Sequence, residues 1–268
     1  MAFGVRLLVV IILLSLPQWC WGGPCPRDCT CFLDSRGRRQ VTCARGGMTN
    51  PIPIHSMDQQ VEVIQITAPP DSPNALTIGP IFQQFSRLEE LHIVRSNIPS
   101  IGRYSFWGVP TLQKLNLTQN NISHVLDYNF RGLANLLELH LDDNRIESMP
   151  SGTFRHLHEL RVLSLARNRI TELVPRLFLM LGKLHQLDLS NNLLMELNPE
   201  VFKDVQVGDN GALDLKLFPQ VTPHSVTFSY IGRDAISAQS PFAFSFTPVR
   251  SGVLLTYLLH GAKSFLRS

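Results

Sequence analysis

One leucine recurs at a fixed interval through the middle of this chain. It stands every 24 residues, at Leu88, Leu112, Leu136, Leu160 and Leu184. From each leucine the same template follows: apolar residues three, five and thirteen positions on, asparagine eight positions on (serine in the first copy) and phenylalanine eighteen positions on. The eighth-position column is Ser96, Asn120, Asn144, Asn168 and Asn192, and the phenylalanine column is Phe106, Phe130, Phe154, Phe178 and Phe202. Five copies in register exclude chance and predict a stack of repeated units.

Each column of the template has a physical role. The "LxxLxL" segment alternates, which predicts a short strand with one buried face, and stacked units bury faces that a single unit cannot. The asparagine amides are expected to satisfy backbone groups in their own coil and the next, because an unsatisfied buried group costs about 1–3 kcal/mol. The phenylalanines are expected to fill the wider side of each coil, at about 1.5–3 kcal/mol per buried ring.

An irregular copy precedes the regular ones. Val61, Ile64 and Ile66 supply its strand, which starts 27 residues before Leu88, so three extra residues fall in the loop "APPDSPN". The predicted organisation is a signal peptide (1–22), a cysteine-rich cap (23–60), repeats over 61–205 and a non-repeat tail (206–268) that is disordered or divergent. Within 61–205 the predicted units are 61–87, 88–111, 112–135, 136–159, 160–183 and 184–205.

The N-terminus has the layout of a secretory signal. One arginine precedes an apolar run over residues 7–16, followed by proline and small residues, with cleavage expected after Gly22. That run, like the later run 253–259, is too short to cross a bilayer, so no transmembrane span is expected.

Cleavage would leave four of the five cysteines, Cys25, Cys29, Cys31 and Cys43. An even set confined to one short segment of a secreted chain predicts two disulfides, and a zinc knot is the alternative if the chain is not secreted. Cys29 and Cys31 point to opposite sides of an extended segment, so each is expected to reach a different partner, and spacing alone leaves three pairings open.

The cysteine segment "CPRDCTC" and Cys43, followed by these repeats, resemble the extracellular leucine-rich repeat family with a cysteine-rich N-terminal cap. That group includes Slit, the Kekkon-like receptors, Toll ectodomains and the Nogo receptor. The resemblance covers residues 25–205 and implies the pairs Cys25 with Cys31 and Cys29 with Cys43. The expected fold is an α/β-type leucine-rich repeat solenoid with a parallel sheet on its concave face and an irregular or short helical convex side.

The solvent side of the concave sheet is the default binding surface of a solenoid. Its expected exposed residues are Glu90, His92, Val94, Lys114, Asn116, Thr118, Glu138, His140, Asp142, Val162, Ser164, Ala166, Gln186, Asp188 and Ser190. Two sequons, "NLT" at Asn116 and "NIS" at Asn121, are candidate glycosylation sites. A glycan on Asn116 would obstruct the second regular strand, which leaves a freer candidate partner-binding patch of Glu138, His140, Asp142, Arg161, Arg167 and Asp188.

Catalysis, cofactors and nucleic acid receive no support from the sequence. The net charge of +3 is too small to indicate a nucleic-acid groove or a polybasic membrane patch. No nucleophile with a base at meaningful spacing and no phosphate-binding glycine loop occurs. His156 and His158 flank the core residue Leu157 on a connecting loop, which favours surface histidines over metal ligands.

The repeat template ends at Gln206. Gly208, Gly211 and Lys216 occupy the positions where a further strand needs leucine, leucine and asparagine. One hypothesis is that residues 207–268 come from a retained intron or an alternative last exon, which leaves the array truncated. The alternative is a divergent cap in which Leu213, Leu215 and Leu217 add one strand. An uncapped array would expose Leu184, Leu187, Leu189, Leu194, Leu197 and Phe202 and favour self-association.

The sequence thus predicts a non-enzymatic extracellular module that binds a protein ligand in adhesion, guidance or receptor-type signalling. The alternatives are a matrix protein similar to the small leucine-rich proteoglycans and a nonproductive truncated isoform.

Overall fold

The computed structural model describes residues 22–194, 201 and 213–216 with their side chains, and the backbone of four further strands between residues 227 and 256. Its main feature is a nine-stranded sheet in which spatial order follows sequence order. The strands are β1 (Thr30–Leu33), β2 (Arg39–Cys43), β3 (Val63–Ile66), β4 (Glu90–Ile93), β5 (Lys114–Asn116), β6 (Glu138–His140), β7 (Val162–Ser164), β8 (Gln186–Asp188) and β9 (Asp214–Lys216). β1 and β2 form an antiparallel hairpin, and every later neighbour pairs in parallel.

Two 3₁₀ turns, Ile54–Ser56 and Phe82–Gln84, lie on the connecting side of the first coils. Two separate antiparallel hairpins follow the main sheet, β10 (Thr227–Ile231) with β11 (Ala235–Gln239) and β12 (Ser245–Val249) with β13 (Gly252–Thr256). The predicted leucine-rich repeat solenoid, with its parallel sheet and largely irregular convex side, is confirmed.

The template columns form the core as predicted. The strand leucines Leu91, Leu115, Leu139, Leu163 and Leu187 pair in one register and are fully buried. The described phenylalanines of the column are also fully buried, and Phe154 lies stacked between Phe130 and Phe178, with ring centroids 6.0 and 6.1 Å apart. Because each coil repeats the same side-chain directions, the rings and leucines form continuous columns through the stack.

The side-chain amides of the asparagine column form hydrogen bonds with backbone groups, as expected. The neighbouring coil that they reach is the preceding one. Asn120 Nδ2 donates to Leu117 O in its own coil (2.9 Å) and to Ile93 O in the preceding one (2.7 Å). Its Oδ1 accepts from the backbone N–H groups of Ser96 and Ile98, also in the preceding coil. The prediction that the amide reaches the next coil is wrong in direction, because the side chain points back along the stack.

Asn74 fills the same role in the irregular repeat, where the template gave no asparagine. It is 1% exposed, accepts from Met48 N (2.9 Å) and donates to Thr67 O (3.3 Å) and Ser96 Oγ (3.0 Å). The hydroxyl of Ser96 thereby accepts a hydrogen bond from the preceding coil. The longer loop ahead of Asn74 is what moves this residue out of the template register.

The N-terminal cap contains the disulfides that the family resemblance implied, Cys25–Cys31 and Cys29–Cys43. Cys43 ends β2, so the second disulfide joins the chain ahead of the hairpin directly to the first parallel strand. Val41 of the hairpin is fully buried and packs in the core cluster of the repeats.

The C-terminal end of the array differs from the expected exposed edge. β9 pairs in parallel with β8, with Leu215 opposite Leu187, 28 residues away instead of 24. Leu184, Leu187 and Leu189 are fully buried, so the prediction that they are partly bare is wrong, because Leu213 and Leu215 pack in the same core cluster. Leu194, from the same prediction, is half-buried. The alternating leucines were therefore the better guide to this segment.

Several predictions lie outside the described residues. They concern the signal peptide over residues 1–21, Leu197, Phe202 and Leu217, and most of the tail. No helix in the described part of the chain is long and apolar enough to cross a membrane.

Candidate functional site

The concave face presents two rows of outward side chains in strand register. The first row runs Glu90, Lys114, Glu138, Val162, Gln186 and Asp214, and the second runs His92, Asn116, His140, Ser164, Asp188 and Lys216. These side chains are half-buried because neighbouring strands lie only about 4.8 Å apart, so each row packs against itself. The result is a continuous, mostly polar band across six strands.

The N-terminal half of this band is internally paired. Arg38, from the turn between β1 and β2, contacts Glu90 at 2.7 Å and Glu89 at 3.2 Å, and it also pairs with Asp34. Lys114 Nζ lies 2.6 Å from Glu138 Oε2 on the next strand. The sequence analysis did not identify Arg38, because its partners on the concave face, Glu89 and Glu90, lie more than fifty residues away in the chain.

A Glu-x-His pair occurs on both β4 and β6. His92 Nε2 lies 3.3 Å from Glu90 Oε2, and His140 Nε2 lies 3.2 Å from Glu138 Oε2. In each pair the glutamate precedes the histidine by two positions, so both side chains point to the same face of the strand.

These contacts shift the ionisation of the band. Burial raises the pKa of Glu90, but hydrogen bonds from Arg38 and His92 outweigh it and hold that pKa below its ordinary value. Burial likewise raises the pKa of Glu138, and hydrogen bonds from Lys114 and His140 bring it below the ordinary value. Burial lowers the pKa of His92 despite the hydrogen bond to Glu90. At neutral pH Glu90 and Glu138 are therefore ionised, and His92 is neutral.

The residues at the strand exits are less accessible than predicted. Asp142, Ala166 and Ser190 are buried, so the expectation that they are exposed is wrong. Asp142 Oδ1 accepts hydrogen bonds from the Ser164 hydroxyl and from Ala166 N, both in the next coil. Its carboxylate is therefore used to join two coils, and only part of it reaches solvent.

The two predicted arginines lie on opposite rims of the face. Arg161 immediately precedes β7 and is exposed, and no hydrogen bond or ion pair of its guanidinium occurs within the described residues. Arg167 follows β7 and forms a two-point pair with Asp143 of the preceding coil, at 2.6 and 2.8 Å. This contact raises the pKa of Arg167.

The C-terminal half of the band retains hydrogen-bonding capacity. Asp188 Oδ1 accepts from Ser190 N and Oγ, whereas its second carboxylate oxygen has no donor among the described residues. The Gln186 amide and the Arg161 guanidinium also have no partner within the described ranges 22–194 and 213–216. A partner could thus find donors and acceptors on β7 and β8 without breaking internal pairs.

The two sequons occupy different positions. Asn116 is the last residue of β5, half-buried, with its Oδ1 accepting from Thr118 N at 2.9 Å. Asn121 lies beyond the strand, and its side-chain amide donates to Asn97 Oδ1. Glycan occupancy of both sites stays a prediction.

Among the residues that the structure describes, no three His, Cys, Asp or Glu side chains gather where they could hold a metal ion. His156 and His158 lie on the connecting side between β6 and β7, as their sequence positions predicted. Burial and the nearby Arg155 lower the pKa of His156.

The match to a protein-family model agrees with this geometry. The leucine rich repeat family model matches residues 86–146 and 135–194. No curated protein matches the chain. A solved structure described as "Structure of the Toll - Spatzle complex, a molecular hub in Drosophila development and innate immunity" matches with 21% identity and a TM-score of 0.46. The match covers 65% of this chain and 26% of that one, so the present chain corresponds to about a quarter of its relative's length.

The fold and the matched segments define a class: a parallel leucine-rich solenoid that begins with a disulfide-bonded cap. Residues 86–194 of this chain match the leucine rich repeat family model. Members of this architectural class use their repeats as a scaffold for protein interaction.

Proposed function

We propose that the chain is a non-enzymatic recognition module that binds an extracellular protein ligand through the concave face, in adhesion, guidance or receptor-type signalling. The observation that carries the proposal is the polar band, whose C-terminal half keeps unpaired hydrogen-bonding groups on a rigid sheet. A rigid surface loses little conformational entropy on binding, which favours affinity. The two disulfides of the cap support an oxidising, extracellular environment.

Within the face, the proposed contact patch extends from Glu138 and His140 on β6 to Asp188 on β8, with Arg161 and Arg167 on its rims. Asp142 contributes chiefly by holding Ser164 and Ala166 of the next coil in place. Glycans on Asn116 and Asn121 are proposed to shield the side of the face nearer the cap. A ligand would then approach over β6 to β8.

A glycan introduced into the patch tests this proposal. The double substitution Glu138→Asn with His140→Thr turns "ELH" into "NLT", which places at the start of β6 the same tripeptide that begins at Asn116 on β5. The matched control is His156→Asn with His158→Thr, which turns "HLH" into the same tripeptide on the convex side. Both variants add one sequon, the first in place of Glu138 and His140 and the second in place of His156 and His158, so they place the sugar on opposite faces of the solenoid.

The full chain, secreted from cultured cells and multimerised, is the probe for binding to arrayed extracellular domains. We expect specific binding that the β6 glycan abolishes and the convex glycan leaves intact, with glycan occupancy verified by mass spectrometry. Binding that survives an occupied β6 glycan would contradict a role for the concave face. Failure of the chain to enter the medium would contradict secretion itself.

A further inference from the structure

Five side chains on the convex side form an alternating stack of rings and guanidinium groups, here called the aromatic ladder: Tyr128, Arg103, Tyr104, Arg131 and Trp107. The Arg103 guanidinium carbon lies 5.1 Å from the Tyr104 ring centroid and 5.4 Å from that of Tyr128. The Arg131 guanidinium carbon lies 5.5 Å from Tyr104 and 5.2 Å from Trp107. Each cation is therefore held between two rings.

The repeat period builds this ladder. Tyr104 and Tyr128 occupy the same template position in successive coils, and so do Trp107 and Arg131. Tyr104 has a positive φ of 56°, which turns the chain at the ladder's centre, and its ring meets that of Trp107 edge to face at 6.2 Å. The ladder thus spans two coils on the side of the solenoid opposite the sheet.

The ladder is accessible and its cations lack acidic partners. Arg103 and Arg131 are exposed, and Trp107 retains 49% of its surface. Within the described part of the chain neither guanidinium forms a hydrogen bond or an ion pair. Asp127, which holds the template position of Arg103 in the next coil, is instead paired with Arg155 at 2.9 Å. The guanidinium N–H groups of the ladder are consequently free to bind an outside acceptor.

The chemistry of these groups defines the partner. A guanidinium presents a planar fork that matches a carboxylate, and stacking between two rings fixes its orientation before binding. Tryptophan, tyrosine and arginine are the residues that dominate binding energy at protein interfaces. The half-exposed indole beside Arg131 offers an apolar contact next to the charge.

We propose that the aromatic ladder is a second docking surface, separate from the concave face, and that it binds an acidic protein segment in which carboxylates flank an apolar side chain. A sulfated glycan fits less well, because heparin-binding patches are longer segments rich in lysine or arginine, whereas the ladder has two cations beside a half-exposed indole that a sugar polyanion does not need. The inference does not depend on the function proposed for the concave face.

The ladder provides its own spectroscopic reporter. Of the three tryptophans, Trp19 and Trp21 lie in the predicted signal peptide, so Trp107 is the single tryptophan of the cleaved chain. The probe is a short acetylated peptide of glutamate, leucine and glycine, titrated into the secreted protein while Trp107 fluorescence is followed. The control peptide carries glutamine in place of glutamate, and a heparin octasaccharide serves as the alternative polyanion.

Two double variants separate the ladder from general charge. Arg103→Gln with Arg131→Gln removes both stacked cations, whereas Arg145→Gln with Arg169→Gln removes two exposed arginines elsewhere on the repeats. Circular dichroism and thermal melting establish that each variant is folded. A third variant, Arg103→Lys with Arg131→Lys, keeps the charge and removes the planar fork.

We expect the glutamate peptide to change Trp107 fluorescence saturably and to bind about tenfold more weakly to the Arg103→Gln, Arg131→Gln protein. The lysine variant should be weakened and the Arg145, Arg169 variant unchanged. The proposal is overturned by equal binding of the glutamine peptide, by equal weakening in both glutamine variants, by absence of a glutamate-peptide signal, or by a response to the heparin octasaccharide alone.

Discussion

Replacing Asn144 by alanine removes one member of the asparagine column from the centre of the array. Its Oδ1 accepts from Ile122 N at 3.0 Å, and its Nδ2 donates to the carbonyl oxygens of Leu117 and Leu141, each at 3.0 Å, and of Asp142 at 3.1 Å. All of these atoms lie in the buried interior between two coils. The substitution therefore tests whether backbone satisfaction by this column stabilises the stack.

In Asn144→Ala, some backbone groups lose their one hydrogen-bond partner and others keep a second partner. The carbonyls of Leu117 and Leu141 keep the amides of Asn120 and Asn168, respectively. The Ile122 N–H has only the Asn144 oxygen and becomes an unsatisfied buried donor, which costs about 1–3 kcal/mol. Because the hydrogen bonds from Asn144 Nδ2 to the carbonyl oxygens are lost as well, Asn144→Ala should lower the free energy of unfolding by about 2–4 kcal/mol.

Asn144→Asp sharpens the test because it keeps the acceptor and removes the donors. Its carboxylate would face three carbonyl oxygens, so at neutral pH it should destabilise more than alanine does. The same repulsion raises the folded-state pKa of the new acid above its unfolded value of about 3.9, so the folded protein binds the extra proton first. The excess loss of stability should therefore shrink as the pH is lowered through the raised pKa.

Urea denaturation of the full chain, followed by Trp107 fluorescence and by circular dichroism, measures these changes. Asn135→Ala is the control, because its amide makes one exposed bond, to Pro110 O at 2.9 Å, and its loss should change stability by less than about 0.5 kcal/mol. A loss of under about 0.5 kcal/mol for Asn144→Ala, or an aspartate variant as stable as the alanine variant at neutral pH, would refute the reasoning.

Three further changes probe the core, the cap and the concave face. Phe154→Ala should cost about 3–5 kcal/mol in urea denaturation, since it empties a site between two stacked rings, and a loss below about 1 kcal/mol would contradict this. Replacing Cys29 and Cys43 with serine should cost about 3 kcal/mol by releasing the loop closed by this disulfide, and an unchanged urea midpoint would argue against a stabilising cap. Stability should fall as the pH drops from about 7 to about 5, because His92 has a lowered pKa and the unfolded chain takes up the proton first. His92→Gln should flatten this dependence, and an equally steep slope in that variant would assign it to other groups.

The sequence alone determined the repeated part of the fold because the period fixes which way each side chain points. Residues equivalent to Leu139, Asn144 and Phe154 recur in each regular repeat, with serine replacing asparagine in the first. The spacing therefore predicts the strand, the turn and the side chains that face the core. The disulfide pairing was different: spacing left three pairings, and only the family resemblance selected one. The outward rows of the concave face were likewise predictable from strand alternation.

The tertiary structure decided the contacts that side chains make between neighbouring coils and between the cap and the first coils. Asp142 is buried because Ser164 and Ala166 of the following coil donate to it, and the template had counted it as exposed. Arg38 reaches Glu90 because the cap hairpin packs beside the first coils, a meeting that local sequence does not specify. These outcomes depend on how neighbouring segments pack, which periodicity within one coil does not set.

The C-terminal end of the array shows the same division. Within the repeats a 24-residue step predicts the next strand, but β9 lies 28 residues beyond β8, after a segment with glycines at the template leucine positions. The sheet continued because Leu213 and Leu215 could cover the open edge of the core, and apolar burial depends on which surface is available. The period of the sequence determined the repeating pattern. The apolar surface at the end of the last regular coil, which needed to be covered, decided where the last strand pairs.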